Sequence, residues 1–318
     1  MGNKTCLVAL CLSVALLFGC SMSEKPEESK TGLTMPEKVQ YTQDGEPALK
    51  VYVVETEQIE TMPLEEYLCG VLAGEMRNDW PLEALKAQAI LARTFVLKFM
   101  EEKESRYEGA DISTDVEEAQ AYDAGAVNER VREAVAQTKG MVLASGDELI
   151  YAWFHAHSGG TTAGAKEGLN WKAEEPAYIK IAQGQESESA PEETKAWQAT
   201  FTAEEVIAAA REAGASISEL TSASVAKRGE SGRAVTLMLS GTEVNAADFR
   251  IAIGSTRMRS TLLTDFVLEN GRLTMAGKGY GHGVGMSQWG AYGQAEAGRS
   301  AEEIVLSYYQ NVEIVQMY

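Results

Sequence analysis

Asp79-Trp80-Pro81-Leu82-Glu83-Ala84-Leu85-Lys86-Ala87-Gln88-Ala89-Ile90-Leu91-Ala92-Arg93-Thr94-Phe95-Val96-Leu97-Lys98-Phe99 is the stretch on which the fold turns. Asp79-Trp80-Pro81 is a helix-start signal, because proline suits the first turn of a helix and not its interior. From there Leu82, Leu85, Ala89, Ala92, Val96 and Phe99 recur at alternating spacings of three and four, the stripe of an amphipathic helix. Ile90, Leu91, Phe95 and Leu97 fill its other faces. A helix that is apolar nearly all round is buried, so this segment predicts the centre of a core. Gln88 and Arg93 interrupt it. A buried arginine needs a partner or an opening. Each of the two residues is therefore either a structural contact or a ligand contact.

Working outward, Leu49 to Val54 and Gln58 to Met62 predict a β-hairpin, and Leu64 to Met76 a helix with Glu65 and Glu66 in its first turn. Val127 to Thr138 reads as a second helix, and Met141 to Phe154 contains a hairpin turned at Ser145-Gly146-Asp147. Thr202 to Ala213 is helical, and Val225 to Arg228 pairs with Ala234 to Leu239 across Gly229-Glu230-Ser231-Gly232. Ala246 to Ile253 and Ala301 to Tyr309 predict short helices. Residues 183–195 are polar and proline-containing, and read as surface loop. The fold class expected is α+β, with helices and β-hairpins around a substrate groove.

The start of the chain points to a compartment. Residues 1–20 carry one charged side chain, Lys4, and the apolar run Leu7 to Phe18, too short to span a bilayer but suited to a signal peptide. The run ends in Leu17-Phe18-Gly19-Cys20, which resembles a bacterial lipoprotein signal with Cys20 as the lipidated residue. The expected organisation is a signal over residues 1–19, a flexible Ser/Glu/Lys-rich tether over 20–44, and one domain over 45–318. The protein is then extracytoplasmic and held to the cytoplasmic membrane by lipid. Of the four cysteines, Cys6 and Cys11 lie in the signal, and Cys69 sits in an apolar run as a small buried hydrophobe. The net charge of −19 excludes nucleic acid as a partner and disfavours anionic polymers in general. A mostly neutral polymer such as a polysaccharide fits better.

Three segments carry chemistry. Glu75 closes an apolar helix just before Asn78-Asp79-Trp80-Pro81; position alone favours a solvated helix-end glutamate, and the alternative is a partly desolvated acid whose pKa is raised toward the range of a general acid. Tyr151-Ala152-Trp153-Phe154-His155-Ala156-His157-Ser158-Gly159-Gly160 places His155 and His157 on one face if extended. Together with His282 these histidines allow a three-ligand zinc site on paper, but two histidines lining a polar groove is the reading preferred here. Gly279-Tyr280-Gly281-His282-Gly283-Val284-Gly285-Met286-Ser287-Gln288-Trp289-Gly290-Ala291 intersperses glycine with donors, acceptors and aromatics. Such a segment lines a polar groove well; it has neither the Lys-Ser/Thr of a phosphate loop nor dinucleotide spacing.

Taken in order, these blocks resemble the stage II sporulation protein D family, lytic transglycosylases acting on peptidoglycan and their vegetative relatives. The matching blocks are Pro63 to Tyr67, Gly74-Glu75-Met76, Trp80 to Ala89, Ala92 to Phe95, Gln120-Ala121-Tyr122, Phe154-His155 to Gly160, Phe249-Arg250, Arg259 to Thr261 and Gly279 to Gly290. The resemblance implies Glu75 as the catalytic acid. It implies sugar contacts from Arg93, Gln88, His155, Ser158, Tyr280, His282, Gly283, Ser287 and Gln288. It implies glycan strands without stem peptides as the substrate. Zinc-containing relatives carry a Cys-x4-His-Cys cluster before the Gln-x-Tyr block. Ser113, Glu118 and Ala119 stand at those positions here, so no metal and no other cofactor is expected. Arg77 replaces a common proline after Met76 and would depress the Glu75 pKa unless its guanidinium turns to solvent. The competing reading is a non-catalytic glycan-binding enhancer of a cell-wall amidase, its partner. A weaker one is a lipoprotein scaffold.

Overall fold

The central helix forms where the apolar stripe places it. The computed structural model describes residues 32–318. The expected signal peptide, Cys20 and the first part of the expected tether lie outside the described residues. Strands β1 (Gln40–Tyr41), β2 (Pro47–Val53) and β3 (Gln58–Pro63) form an antiparallel sheet. Helices α1 (Leu64–Glu75) and α2 (Leu82–Glu102) follow, and β4 (Ile112–Ser113) pairs parallel to β2. Next come α3 (Glu129–Gln137), β5 (Met141–Ser145), β6 (Glu148–Leu149) and the two-residue β7 (Phe154–His155). Helices α4 (Ala165–Leu169) and α5 (Glu192–Lys195) precede β8 (Ala196–Thr202) and α6 (Ala203–Glu212). Strands β9 (Ala223–Arg228), β10 (Ala234–Leu239) and β11 (Thr242–Asn245) form a second sheet and lead into α7 (Ala246–Ala252). Strands β12 (Leu263–Glu269) and β13 (Arg272–Lys278) complete a third sheet with β8. The chain closes with β14 (Met286–Ser287), α8 (Gln288–Glu296), α9 (Ala301–Tyr308) and β15 (Glu313–Gln316). The α+β class is as the sequence predicts.

Two hydrophobic cores divide the work. The first centres on α2, whose Leu85, Ala89, Ile90, Leu91, Ala92, Val96 and Leu97 are all fully buried. It packs against α1, α3, α8 and α9, and β15 returns the C-terminus to pair with β5. Truncating one of the large aliphatic residues here to alanine costs roughly 2–5 kcal/mol. The second core runs from Trp197 to Met275 and includes Phe201, Leu237, Phe249 and Leu273. It is inserted between α5 and the return of the chain to the first core at Val284.

Residues 33–44, expected within the tether, are instead packed on the first core. Leu33 and Met35 lie against it, Val39 is buried, and Gln40–Tyr41 pairs with Pro47–Ala48. Three apolar residues spaced through a polar segment are enough to dock it once a sheet edge is available. Among the described residues no helix is long and apolar enough to cross a membrane.

Candidate functional site

Glu75 is the last residue of α1, where the helix dipole already disfavours a negative charge. Gly74 brings this helix end onto the chain at Ala121–Tyr122; a Cβ at Gly74 would lie 2.6 Å from the Tyr122 amide nitrogen. That close approach lets the Ala121 N–H donate to Glu75 Oε1 at 2.7 Å. The Gln288 amide, opening α8, donates to the Glu75 backbone carbonyl at 3.3 Å. Burial raises the Glu75 pKa above its ordinary 4.5, against the opposing pull of the Ala121 N–H and the Gln288 amide. The carboxyl opens on a cleft of about 430 Å³ formed by the 73–79 segment and Ala126. Asn78 also lines it, its side-chain amide donating to the Ala126 carbonyl and its backbone carbonyl accepting from Asn128 at 3.1 Å. Trp80, Trp289 and Tyr292 pack with ring centroids 4.5–5.3 Å apart and tie the start of α2 to α8.

Arg77 turns to solvent and pairs with Asp79, Nη2 to Oδ2 at 3.0 Å, both side chains largely exposed. It is therefore no counter-ion of Glu75, the condition under which the acid keeps a raised pKa.

The other sequence-predicted residues divide sharply. Gln288 alone joins Glu75. Arg93 is fully buried in a bidentate pair with Glu65, at 2.9 and 2.6 Å, and also donates to the Met141 carbonyl at 3.0 Å. The expectation that Arg93 holds sugar is corrected: its partner is Glu65, and Tyr318 from the C-terminus closes the same pair. Gln88 is fully buried on α2, both ends of its amide without a partner among the described residues. Neither side chain reaches the cleft surface.

The segment from Gly279 to Ser287 runs beside 154–163, through the β7–β14 pairing and bridges at His157–Tyr280 and Ala163–Val284. The histidines hold backbone. His155 Nδ1 lies 3.1 Å from the Val284 carbonyl, and His282 Nδ1 accepts from the Val284 N–H at 3.0 Å. Burial pushes His155 well below the usual imidazole range and His282 down to about 3. His157 Nδ1 accepts from the Gly159 N–H at 2.9 Å, leaving Nε2 as the protonated nitrogen, 3.7 Å from Glu186 Oε2. Burial lowers the His157 pKa and Glu186 opposes that. His155 and His157 thus serve different neighbours rather than one shared face, because only Phe154–His155 is a regular strand. Among the described residues no group of His, Cys, Asp and Glu is arranged to hold a metal ion. Around Ser113 to Ala119, Glu118 instead accepts from Ser105 Oγ at 2.9 Å and the Arg106 N–H at 2.6 Å.

Ser158 and Ser287 are corrected as sugar contacts for the same reason as Arg93. Both are fully buried and both hydroxyls donate to Glu186, Ser287 at 2.9 Å. Their lone pairs take the Gly160 N–H at 3.1 Å and the Gly290 N–H at 3.2 Å. Glu186 also accepts the Ser158 N–H at 3.0 Å. It lies in the 183–195 segment read as surface loop, yet its side chain is only 12% exposed. Arg233, also absent from the sequence reading, is fully buried and donates to the carbonyls of Ser158 and Thr161 at 2.6 and 2.7 Å. Gly283, at φ 85°, presses on that guanidinium, where a Cβ would sit 2.5 Å away. Tyr280 stays half-exposed, its ring under Arg259 at 5.2 Å. The Gly-rich segment is thus a buried scaffold whose end, Gln288, reaches the acid. A larger cavity of about 570 Å³, between 164–181 and 227–235, touches none of the predicted site residues.

Comparison with known proteins agrees with this layout. The sequence profile described as Stage II sporulation protein matches residues 52–144, which hold α1, α2 and Glu75. A second profile, for a domain of unknown function, matches residues 165–285 and so contains the second core. The chain is 31% identical to Stage II sporulation protein D of Bacillus amyloliquefaciens over 93% of its own length and 87% of that protein. It is 30% identical to Stage II sporulation protein D of Bacillus subtilis, over 84% of this chain and 78% of that one. An Amidase enhancer of Bacillus subtilis is 29% identical over 76% of this chain but only 39% of its own length. This chain belongs to the stage II sporulation protein D family.

Proposed function

We propose that the protein is a peptidoglycan lytic transglycosylase with Glu75 as its single acid–base group. The observation that carries this reading is the setting of Glu75: a half-buried carboxyl of raised pKa, at the mouth of an open cleft, aimed by a backbone N–H. The other carboxylate of that cleft, Asp79, is exposed and tied to Arg77. A two-carboxylate hydrolase needs a second free carboxylate to activate water or form a covalent intermediate. One acid suffices when the nucleophile belongs to the substrate. Glu75 protonates the glycosidic oxygen as the C1–O bond of a muramoyl residue breaks. The C6 hydroxyl of that residue then attacks C1 and returns its proton to Glu75. The products are a 1,6-anhydromuramoyl end and a new hydroxyl end. No water is consumed, and the intramolecular attack has a built-in proximity advantage.

The substrate in this reading is the glycan strand without stem peptides, in wall remodelling or sporulation. Lipid on Cys20 holds the domain outside the cytoplasmic membrane. The test is digestion of amidase-treated peptidoglycan followed by mass spectrometry. Anhydromuramoyl products support the enzyme.

A second reading has its own support in the similarity to the Amidase enhancer. Here the cleft binds glycan without cleaving it and a cell-wall amidase is the partner. Strand binding with no new ends, and faster amidase turnover when the protein is added, is the result that reading requires.

A further inference from the structure

The cleft offers a ligand fewer groups than the sequence suggests. Ser158, Ser287, His155, Arg93 and Gln88 are buried. The Asn78 amide nitrogen is held by the Ala126 carbonyl, and the Asn78 backbone carbonyl by Asn128. Beside Glu75, the charged side chains of the 73–79 wall are Arg77 and Asp79. Arg77 is the one cation lining this cleft among the described residues. Its Nε and Nη2 face Asp79 at 3.3 and 3.0 Å, while Nη1 makes no hydrogen bond to a described residue. Nη1 is therefore open to a second carboxylate while Nε and Nη2 keep Asp79. Arg77 stands two residues from the acid in a protein of net charge −19, whose overall field repels anions.

We propose that Arg77 reads a carboxylate on the sugar being cleaved, namely the free lactyl carboxylate of a muramoyl residue. This rests on the reading of the cleft as a peptidoglycan site. The chemistry is specific to that ligand. A muramoyl lactyl group ends either in an amide to a stem peptide or in a free carboxylate, and only the carboxylate matches the fork of a guanidinium. A peptide-bearing strand presents a neutral amide at that point and leaves Arg77 with Asp79. One exposed cation thus lets an acidic protein distinguish strands by the charge at the lactyl position, which is present only where the peptide has been removed.

Binding is measured on the Glu75→Gln background, so that no turnover is needed. The probes are amidase-treated strands, the same strands with their carboxylates converted to amides by carbodiimide and glycinamide, and chitohexaose. The parent should bind the free-carboxylate strands about tenfold more tightly than the amidated ones, equivalent to about 1.4 kcal/mol. That preference should shrink with added salt, as exposed charge contacts do. Arg77→Gln should abolish the preference while leaving chitohexaose affinity unchanged. Asp79→Asn, which frees the guanidinium, should enlarge it. An undiminished preference in Arg77→Gln overturns the proposal, as does an equal loss of chitohexaose binding, which marks a merely structural role. Because turnover is never read, a failure of Arg77 as the reader and a failure of Glu75 as the acid are distinguishable.

Discussion

Acidification should destabilise this protein through His282, and the magnitude follows from the structure. The His282 ring is fixed between backbone groups, and burial holds its pKa at about 3 against an ordinary 6.5. The sign is that of a depressed group. Above 6.5 the ring is neutral in both folded and unfolded chains and costs nothing. As pH falls below 6.5 the unfolded chain takes up a proton that the folded one refuses, so stability is lost from there down to about pH 3. Each unit in that window is worth about 1.4 kcal/mol. Between about pH 8 and about pH 5 the loss from His282 alone is therefore about 2 kcal/mol. His282→Asn keeps an acceptor for the Val284 N–H and cannot titrate. Urea unfolding followed by tryptophan fluorescence at several pH values gives both stabilities. The variant should be the less stable protein near pH 8, and the gap should narrow by about 2 kcal/mol by about pH 5. Parallel pH dependences of the two proteins across that range would refute the reasoning. His155, depressed first by burial and then by its neighbour His282, adds to the slope of both proteins.

Three further outcomes are expected. Glu186→Ala strands a buried N–H and two buried hydroxyls and should cost at least about 2 kcal/mol in urea unfolding, while Glu186→Gln, which keeps acceptor and bulk, should cost clearly less. Gly74→Ala should push the 121–122 backbone from the helix end and lower turnover with little change in fold by circular dichroism, because the donor to Glu75 is displaced; unchanged turnover counts against that contact. Cys20→Ser should block lipidation and release no processed protein, whereas processing and secretion at the normal rate would favour an ordinary signal peptide.

The sequence made the regular elements legible because their signals are local. The stripe from Leu82 to Phe99 gave α2, and the turn at Ser145-Gly146-Asp147 gave β5 and β6. That Glu75 ends an apolar helix was legible for the same reason, while its role as an acid rests on the resemblance. Burial of charge was not. Glu65 neutralises Arg93 from a neighbouring helix, and nothing near Arg93 in sequence announces it. Glu186 looked like loop because its neighbours are polar; what buries it are Ser158 and Ser287, far away on either side. Those serines looked like sugar contacts because hydroxyls among glycines suit a groove. The carboxylate that saturates them becomes visible only when the three segments meet. Arg233 shows the same failure, since its carbonyl partners carry no sequence signal at all.

The most direct test of the central claim is digestion of amidase-treated peptidoglycan in heavy-oxygen water by the native protein and by Glu75→Gln. The account predicts 1,6-anhydromuramoyl ends without heavy oxygen from the native protein. It predicts turnover at least about a hundredfold lower from the variant, the usual scale for losing a general acid, with strand binding retained. Reducing ends carrying heavy oxygen, or near-normal turnover by Glu75→Gln, would contradict it.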